Sequence, residues 1–239
     1  MNRSLSAGIG ATLLFGYLTC LTAGGAVSGT VRYEGKIPKL RSFDMAIEPV
    51  CVMKHEQDPE AYPARSEALV LGEGSTMANI FVQISRGLPD KEWEVPEEPV
   101  VLNQDGCRYE PHVLGLMVGQ PLKFLNSDGV LHNLHALPNV NDEFNVTMPK
   151  FLKETTRSFE FAEDVFPIKC DVHPWMGGFI AVTDHPFFDV TEKDGVYTIS
   201  DLEPGTYTVE AWHEKLGSRT ATVTIEKDET RRVDFTFKR

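Results

Sequence analysis

The stretch KCDVHPWMGGF, residues 169–179, sets Cys170, His173 and Met176 at equal spacings of three. Upstream, NSDGVLHNLHALP, residues 126–138, carries His132 and His135. A thiolate and two imidazoles in one plane, with a thioether weakly along the axis, make the donor set of a one-electron copper centre. Soft thiolate and thioether suit Cu(I), and imidazole serves both oxidation states. Zinc also takes thiolate and imidazole, but it has little use for a thioether, so Met176 favours copper. The three clustered donors lie in one loop, between FEFAEDVFPIKC and GGFIAVT. The fourth has to come from a distant strand end, so folding must complete the site. The plain alternative is a loop that holds no metal.

A second cluster, Cys51, His55, Cys107 and His112, is spaced C-x3-H and C-x4-H. Those types could hold structural zinc. Its meaning depends on the compartment. The N-terminus places Arg3 before an apolar run from about Ala7 to Leu21, followed by small residues at 23–26. That is the three-part layout of a secretory leader covering residues 1–26; an uncleaved anchor is the rival, though the run is short and carries glycines. Export to a periplasmic or extracellular space removes Cys20 and leaves Cys51, Cys107 and Cys170 in oxidising surroundings. A Cys51–Cys107 disulfide, with His55 and His112 exposed, is then the simpler expectation. Cys170 is left as a lone thiol, which an exported chain tolerates best when something ligates it.

The frame around these residues reads as strands. The chain has 239 residues, 41% hydrophobic and 24% charged, an ordinary globular balance that allows one large domain or two small ones. Its net charge of −12 argues against nucleic acid, which requires basic surface. VSGTVRY, ANIFVQI, PLKFLN, GGFIAVT, GVYTIS, GTYTVEAW, TATVTI and VDFTF are rich in Val, Ile, Thr and aromatics, and several alternate apolar with polar. Turn signals separate them at Glu34-Gly35, Ser127-Asp128-Gly129, Asp194-Gly195 and Pro204-Gly205. SRGLPDKEWEVPEEP reads as an acidic loop, and no long stretch has a helical period. The expectation is an all-β chain of sandwiches.

Two resemblances sharpen this. Asp194-Gly195-Val196-Tyr197, the turn from Leu202 to Tyr207, and Val233-Asp234-Phe235 resemble the carboxypeptidase regulatory-like family, a small transthyretin-like β-sandwich. That family opens with a strand like Val27-Ser28-Gly29-Thr30-Val31, here far upstream. The resemblance implies that residues 27–43 complete the C-terminal sandwich, 186–239, with 44–185 inserted. Within the insert, Arg108 to Pro111, Val118 to Phe124, His132-Asn133 and the Cys170–Met176 loop resemble the cupredoxins, Greek-key blue-copper sandwiches. This resemblance implies one copper ion held by His132, Cys170, His173 and Met176, with Asn133 bracing the ligand loop. It leaves His135 as a strand histidine facing core or water. His185 and His213 are expected to serve in surface or interdomain packing.

The implied function is electron transfer with a redox partner such as a soluble cytochrome, and no enzymatic activity. Multicopper oxidases and copper nitrite reductases flank the cysteine with histidine; here Lys169 and Asp171 flank Cys170, and there is no His-x-His pair. A copper-holding or structural envelope protein is the rival. In the resembled family the loop histidine, here His173, shows one imidazole edge at the surface. Pro174 and Trp175 would then line a small docking patch, with inward packing of Trp175 as the alternative.

Overall fold

The computed structural model describes residues 24–40, 42–57 and 64–239. The leader expected at 1–26 lies outside the described residues except for its last three, and Cys20 lies outside them too. Seventeen strands follow in chain order among the described residues. They are β1 (Gly25–Glu34), β2 (Phe81–Arg86), β3 (Val100–Asp105), β4 (Arg108–Glu110), β5 (Val113–Met117) and β6 (Leu122–Asn126). Next come β7 (His132–Ala136), β8 (Phe144–Met148), β9 (Glu154–Arg157), β10 (Glu163–Lys169), β11 (Gly177–Thr183) and β12 (Phe188–Val190). The last are β13 (Val196–Leu202), β14 (Gly205–His213), β15 (Gly217–Ile225), β16 (Thr230–Arg232) and β17 (Phe235–Lys238).

Four sheets pack in two pairs. One pair stacks the order β5-β11-β10-β7-β8 on β4-β3-β6-β9. Its core draws Leu102, Tyr109, Leu122 and Phe124 from one sheet and Leu116, Leu134, Phe166 and Ile180 from the other. The other pair stacks β13-β1-β16, with β17 also on β1, against β12-β2-β14-β15. Val27, Val31, Ile80, Val82, Ile84, Tyr197, Val209 and Phe237 fill the space between. The all-β architecture of two sandwiches matches the sequence reading.

β1 pairs antiparallel with β13 and parallel with β16 and β17, which gives the upstream strand its place among the C-terminal ones. Gly29 allows the close approach there: a Cβ would lie 1.7 Å from the Val233 carbonyl oxygen. β2 falls within the 44–185 segment of the sequence reading, yet it pairs with β12 and β14. Strand alternation explains its position. Ile80, Val82 and Ile84 face the core of the C-terminal sandwich, whereas Phe81 faces the joint, packing with Val113 and Ala181. Phe179, Phe188 and Trp212 close the joint.

One helix departs from the sequence reading: α1, Pro49–Gln57. Only Cys51 and His55 are buried on it, one turn apart. The apolar residues Val50, Val52 and Met53 sit together rather than at helical spacing, and the second buried position is a histidine, so the helix shows no hydrophobic period. Proline at its first position suits a helix start. No helix of the described residues is long and apolar enough to cross a membrane.

Candidate metal centre

The ligand loop is placed by strand pairing. β7 lies between β10 and β8, with Lys169 opposite His135 and His132 opposite Met148. Cys170, one step past β10, therefore emerges beside β7. The loop then closes on itself. The Met176 N–H donates to the His173 carbonyl at 2.9 Å, and the Cys170 N–H donates to the Met176 carbonyl at 3.0 Å.

This folding brings His132, Cys170 and His173 together, all buried, with their donor atoms within 4.8 Å of one another. The Nδ1 atoms of His132 and His173 stand 2.9 Å apart, and the Cys170 Sγ lies 3.8 Å from His173 Nδ1. Met176 is buried in the same apolar cluster as Cys170. The donor chemistry fits copper: two imidazole nitrogens and a sulfur converge in a dry pocket, with a buried thioether on the same loop. Asp128 orients the set. Its Oδ2 lies 2.8 Å from His132 Nε2, which places the proton on Nε2 and turns the Nδ1 lone pair of the neutral ring into the site.

Electrostatics agree. Burial pushes the Cys170 thiol up, but hydrogen bonds with His132 and His173 and with backbone amides bring it down to about 6, so it is readily a thiolate. Burial also opposes charge on Asp128. Bonds from His132, Lys54 and the Cys107 amide outweigh it and bring the carboxyl down to about 2. Burial lowers His132, yet Asp128 and Cys170 leave its affinity for a proton raised. Lys54 of α1 completes this network, 2.8 Å from Asp128 and 2.5 Å from Asp105.

Asn133 ties strand to loop. Its Oδ1 accepts from the Asp171 N–H at 2.7 Å and from the Cys170 thiol at 3.3 Å. His135 stands apart from the trio, with Glu143 at 2.6 Å and Asp171 at 2.9 Å. His185 and His213 are buried and accept backbone N–H bonds, a packing role.

Cys51 and Cys107 form a disulfide. His55 is not exposed, contrary to expectation: it is buried, with Nε2 2.5 Å from the Gly106 carbonyl oxygen. His112 is largely buried too, as the ring sits at the joint between sandwiches. The disulfide removes both thiolates that a zinc cluster would need.

The expectation of a surface edge for His173 is also corrected, since the residue is only 2% exposed. Trp175 stands over it, ring centroids 5.2 Å apart. Trp175 in turn packs on an apolar underside made of Phe43, Met45, Cys51, Val52, Ala64 and Cys107. Residues 42–57, with α1, and Ala64 thus form a cap over the loop. Trp175 packs inward because this cap offers apolar surface. Its indole Nε1 is buried with no partner among the described residues.

Asp128, Lys54 and the cap were not singled out from sequence. Only Asp128 left a signal, four residues before His132, and it reads equally as a turn residue.

Comparison with known proteins follows the same division. Residues 180–238 match the family model of the carboxypeptidase regulatory-like domain. Over 90 residues the chain is 29% identical to amicyanin from Paracoccus denitrificans, spanning 37% of this chain and 69% of that protein. Among solved structures, an amicyanin variant in its oxidised state aligns at 22% identity and a TM-score of 0.33, covering 43% of this chain and 98% of that one. A copper-containing nitrite reductase from Thermus scotoductus aligns at 20% identity and a TM-score of 0.33 over 41% of this chain, but only 25% of that chain. The chain thus joins a region similar to amicyanin to one that matches the carboxypeptidase regulatory-like family model.

Proposed function

We propose that the protein is an exported type 1 copper protein that carries single electrons through His132, Cys170, His173 and Met176. The observation that carries this reading is the buried convergence of two imidazole Nδ1 atoms and one thiol of lowered pKa. Copper, when bound, supplies the one-electron step between Cu(I) and Cu(II). The protein's own groups do the rest. Asp128 holds the proton on His132 Nε2, Asn133 pins the loop at Asp171, and Trp175 with the cap excludes water. The role is that of a carrier rather than an enzyme. The partner is a redox protein such as a soluble cytochrome, in a periplasmic or extracellular space, and the net charge of −12 favours a basic one.

One observation favours the rival reading, a copper-holding or structural module without rapid transfer: His173 is buried, with Trp175 over it. A visible and electron-spin spectrum of the copper-loaded protein tests the site. An intense thiolate-to-copper band is expected, and Cys170→Ser should abolish it. A band that survives this substitution refutes the ligand assignment. Stopped-flow exchange with a basic cytochrome separates the two roles, since a holding module would exchange slowly or not at all.

A further inference from the structure

The metal centre gives no task to His112, whose side chain is only 9% exposed. His112 sits between β4 and β5, where the two sandwiches meet. Its Nδ1 lies 3.1 Å from the Gly177 carbonyl oxygen, and Gly177 directly follows Met176. Its Nε2 lies 3.1 Å from Oε1 of Glu214, in the turn between β14 and β15 of the other sandwich. The Glu214 side chain is only 8% exposed.

Chemistry fixes one proton on this bridge. A carbonyl oxygen only accepts, so Nδ1 carries a hydrogen. Burial pushes the Glu214 carboxyl up, but the bond with His112 and the charge on Lys215 outweigh this and hold it below its ordinary range. The ring thus bridges a ligand-loop carbonyl and a carboxylate of the second sandwich. Glu67 Oε2 lies 3.7 Å from Nδ1, with its carboxyl pushed up by burial.

The backbone beside it has little room to give. The Phe179 N–H donates to the His112 carbonyl at 2.8 Å. A Cβ on Gly178 would come within 2.8 Å of that same oxygen. The His112 ring also packs edge-on against Phe179, with centroids 5.6 Å apart. A change at Glu214 therefore has a short, stiff route to the chain beside Met176: carboxylate, ring, Gly177 carbonyl.

We infer that His112 is a positioning residue through which Glu214 of the regulatory-like sandwich sets where the chain holds Met176, and so how strongly the thioether acts on the metal. The inference rests on the copper reading above. A plain interdomain staple would give stability and nothing more, and the two roles have different signatures.

The test uses the full-length chain, with and without copper. His112→Phe keeps a flat ring and removes both hydrogen bonds. His112→Asn restores an amide N–H near the Nδ1 position and can bond Gly177 again without reaching Glu214. Glu214→Ala leaves the Gly177 bond in place and breaks the distal contact, together with the ion pair to Lys215. His112→Phe is expected to change the ratio of Cu(I) to Cu(II) binding constants at least threefold, read as the reduction potential, and to alter the electron-spin hyperfine splitting. His112→Asn should return most of both. Glu214→Ala should shift the ratio in the same direction by a smaller factor, with no further effect in a His112→Phe background, because the two act as one unit. In metal-free protein, Glu214→Ala should also move the amide resonances of Met176, Gly177 and Gly178.

A ratio of Cu(I) to Cu(II) binding constants within 1.5-fold of wild type for Glu214→Ala, with those amides unmoved, overturns the inference. So do additive effects of the two substitutions. If His112→Phe fails to fold, Glu214→Ala on the outer turn decides alone. A wild-type protein without a thiolate-to-copper band would sink the copper reading, and the metal-free amide response would still judge the coupling.

Discussion

Replacing Cys51 and Cys107 together by alanine should loosen the cap before it unfolds the protein. Alanine is the better probe, because serine would bury a hydroxyl where both cysteines are fully buried. The bridge spans a sequence separation of 56. Loop-closure entropy for such a loop is about 14 cal/mol/K, or about 4 kcal/mol at 25 °C. That value is an upper figure for global stability. The cap packs only a small cluster, Met45, Cys51, Ala64 and Cys107 against Trp175, so part of the loss should appear as local opening. Urea unfolding of copper-free protein should therefore show a loss of about 2–4 kcal/mol. Acylation of His173 by diethyl pyrocarbonate, read by mass spectrometry, should become fast in native buffer. A stability loss under about 1 kcal/mol, with His173 as protected as in wild type, would refute the claim that the bridge fastens the cap.

Three further outcomes are expected. Met176→Leu should keep the thiolate-to-copper band but raise the reduction potential, since an axial donor helps stabilise Cu(II); an unchanged potential removes Met176 from the ligand set. Trp175→Ala should cost about 3 kcal/mol in urea unfolding, whereas Trp175→Phe should cost far less, because it also deletes the buried, unpartnered indole N–H; equal losses for both would contradict inward packing. Burial opposes ionisation of Glu163, but the Asn141 and Asn139 N–H groups outweigh it and hold its carboxyl below the ordinary range. A depressed folded-state value gives stability present above the unfolded carboxyl value of about 4.3 and lost as pH falls through the folded one. Glu163→Gln should therefore be less stable than wild type at pH 7, with a gap that narrows in acid; a gap constant with pH argues against this role.

The parts of the molecule written in short-range pattern were readable from the chain. Cys170, His173 and Met176 announce themselves because one tight loop supplies all three, so their spacing survives as sequence spacing. Strands such as Gly177–Thr183 and Gly205–His213 show through composition and alternation, since each has to present an apolar face to a core. The disulfide followed from cysteine arithmetic under export. His132 needed more: the choice over His135 came from family likeness, and the registers of β7 with β8 and β10 then bring it to Cys170.

What the chain concealed depends on surfaces that meet across long separations. β2 alternates like any strand, and nothing local says that Phe81 faces a joint with Val113 and Ala181. Helix α1 buries only Cys51 and His55, too little to mark a face. His173 lies buried beside Trp175, and Trp175 packs on a cap more than a hundred residues upstream. Asp128 reads as a turn residue until folding places His132, Lys54 and the Cys107 amide around its carboxylate. Spacing along a chain reports which side of an element is apolar. It does not report which distant element covers that side, because the cover exists only once the loops have closed.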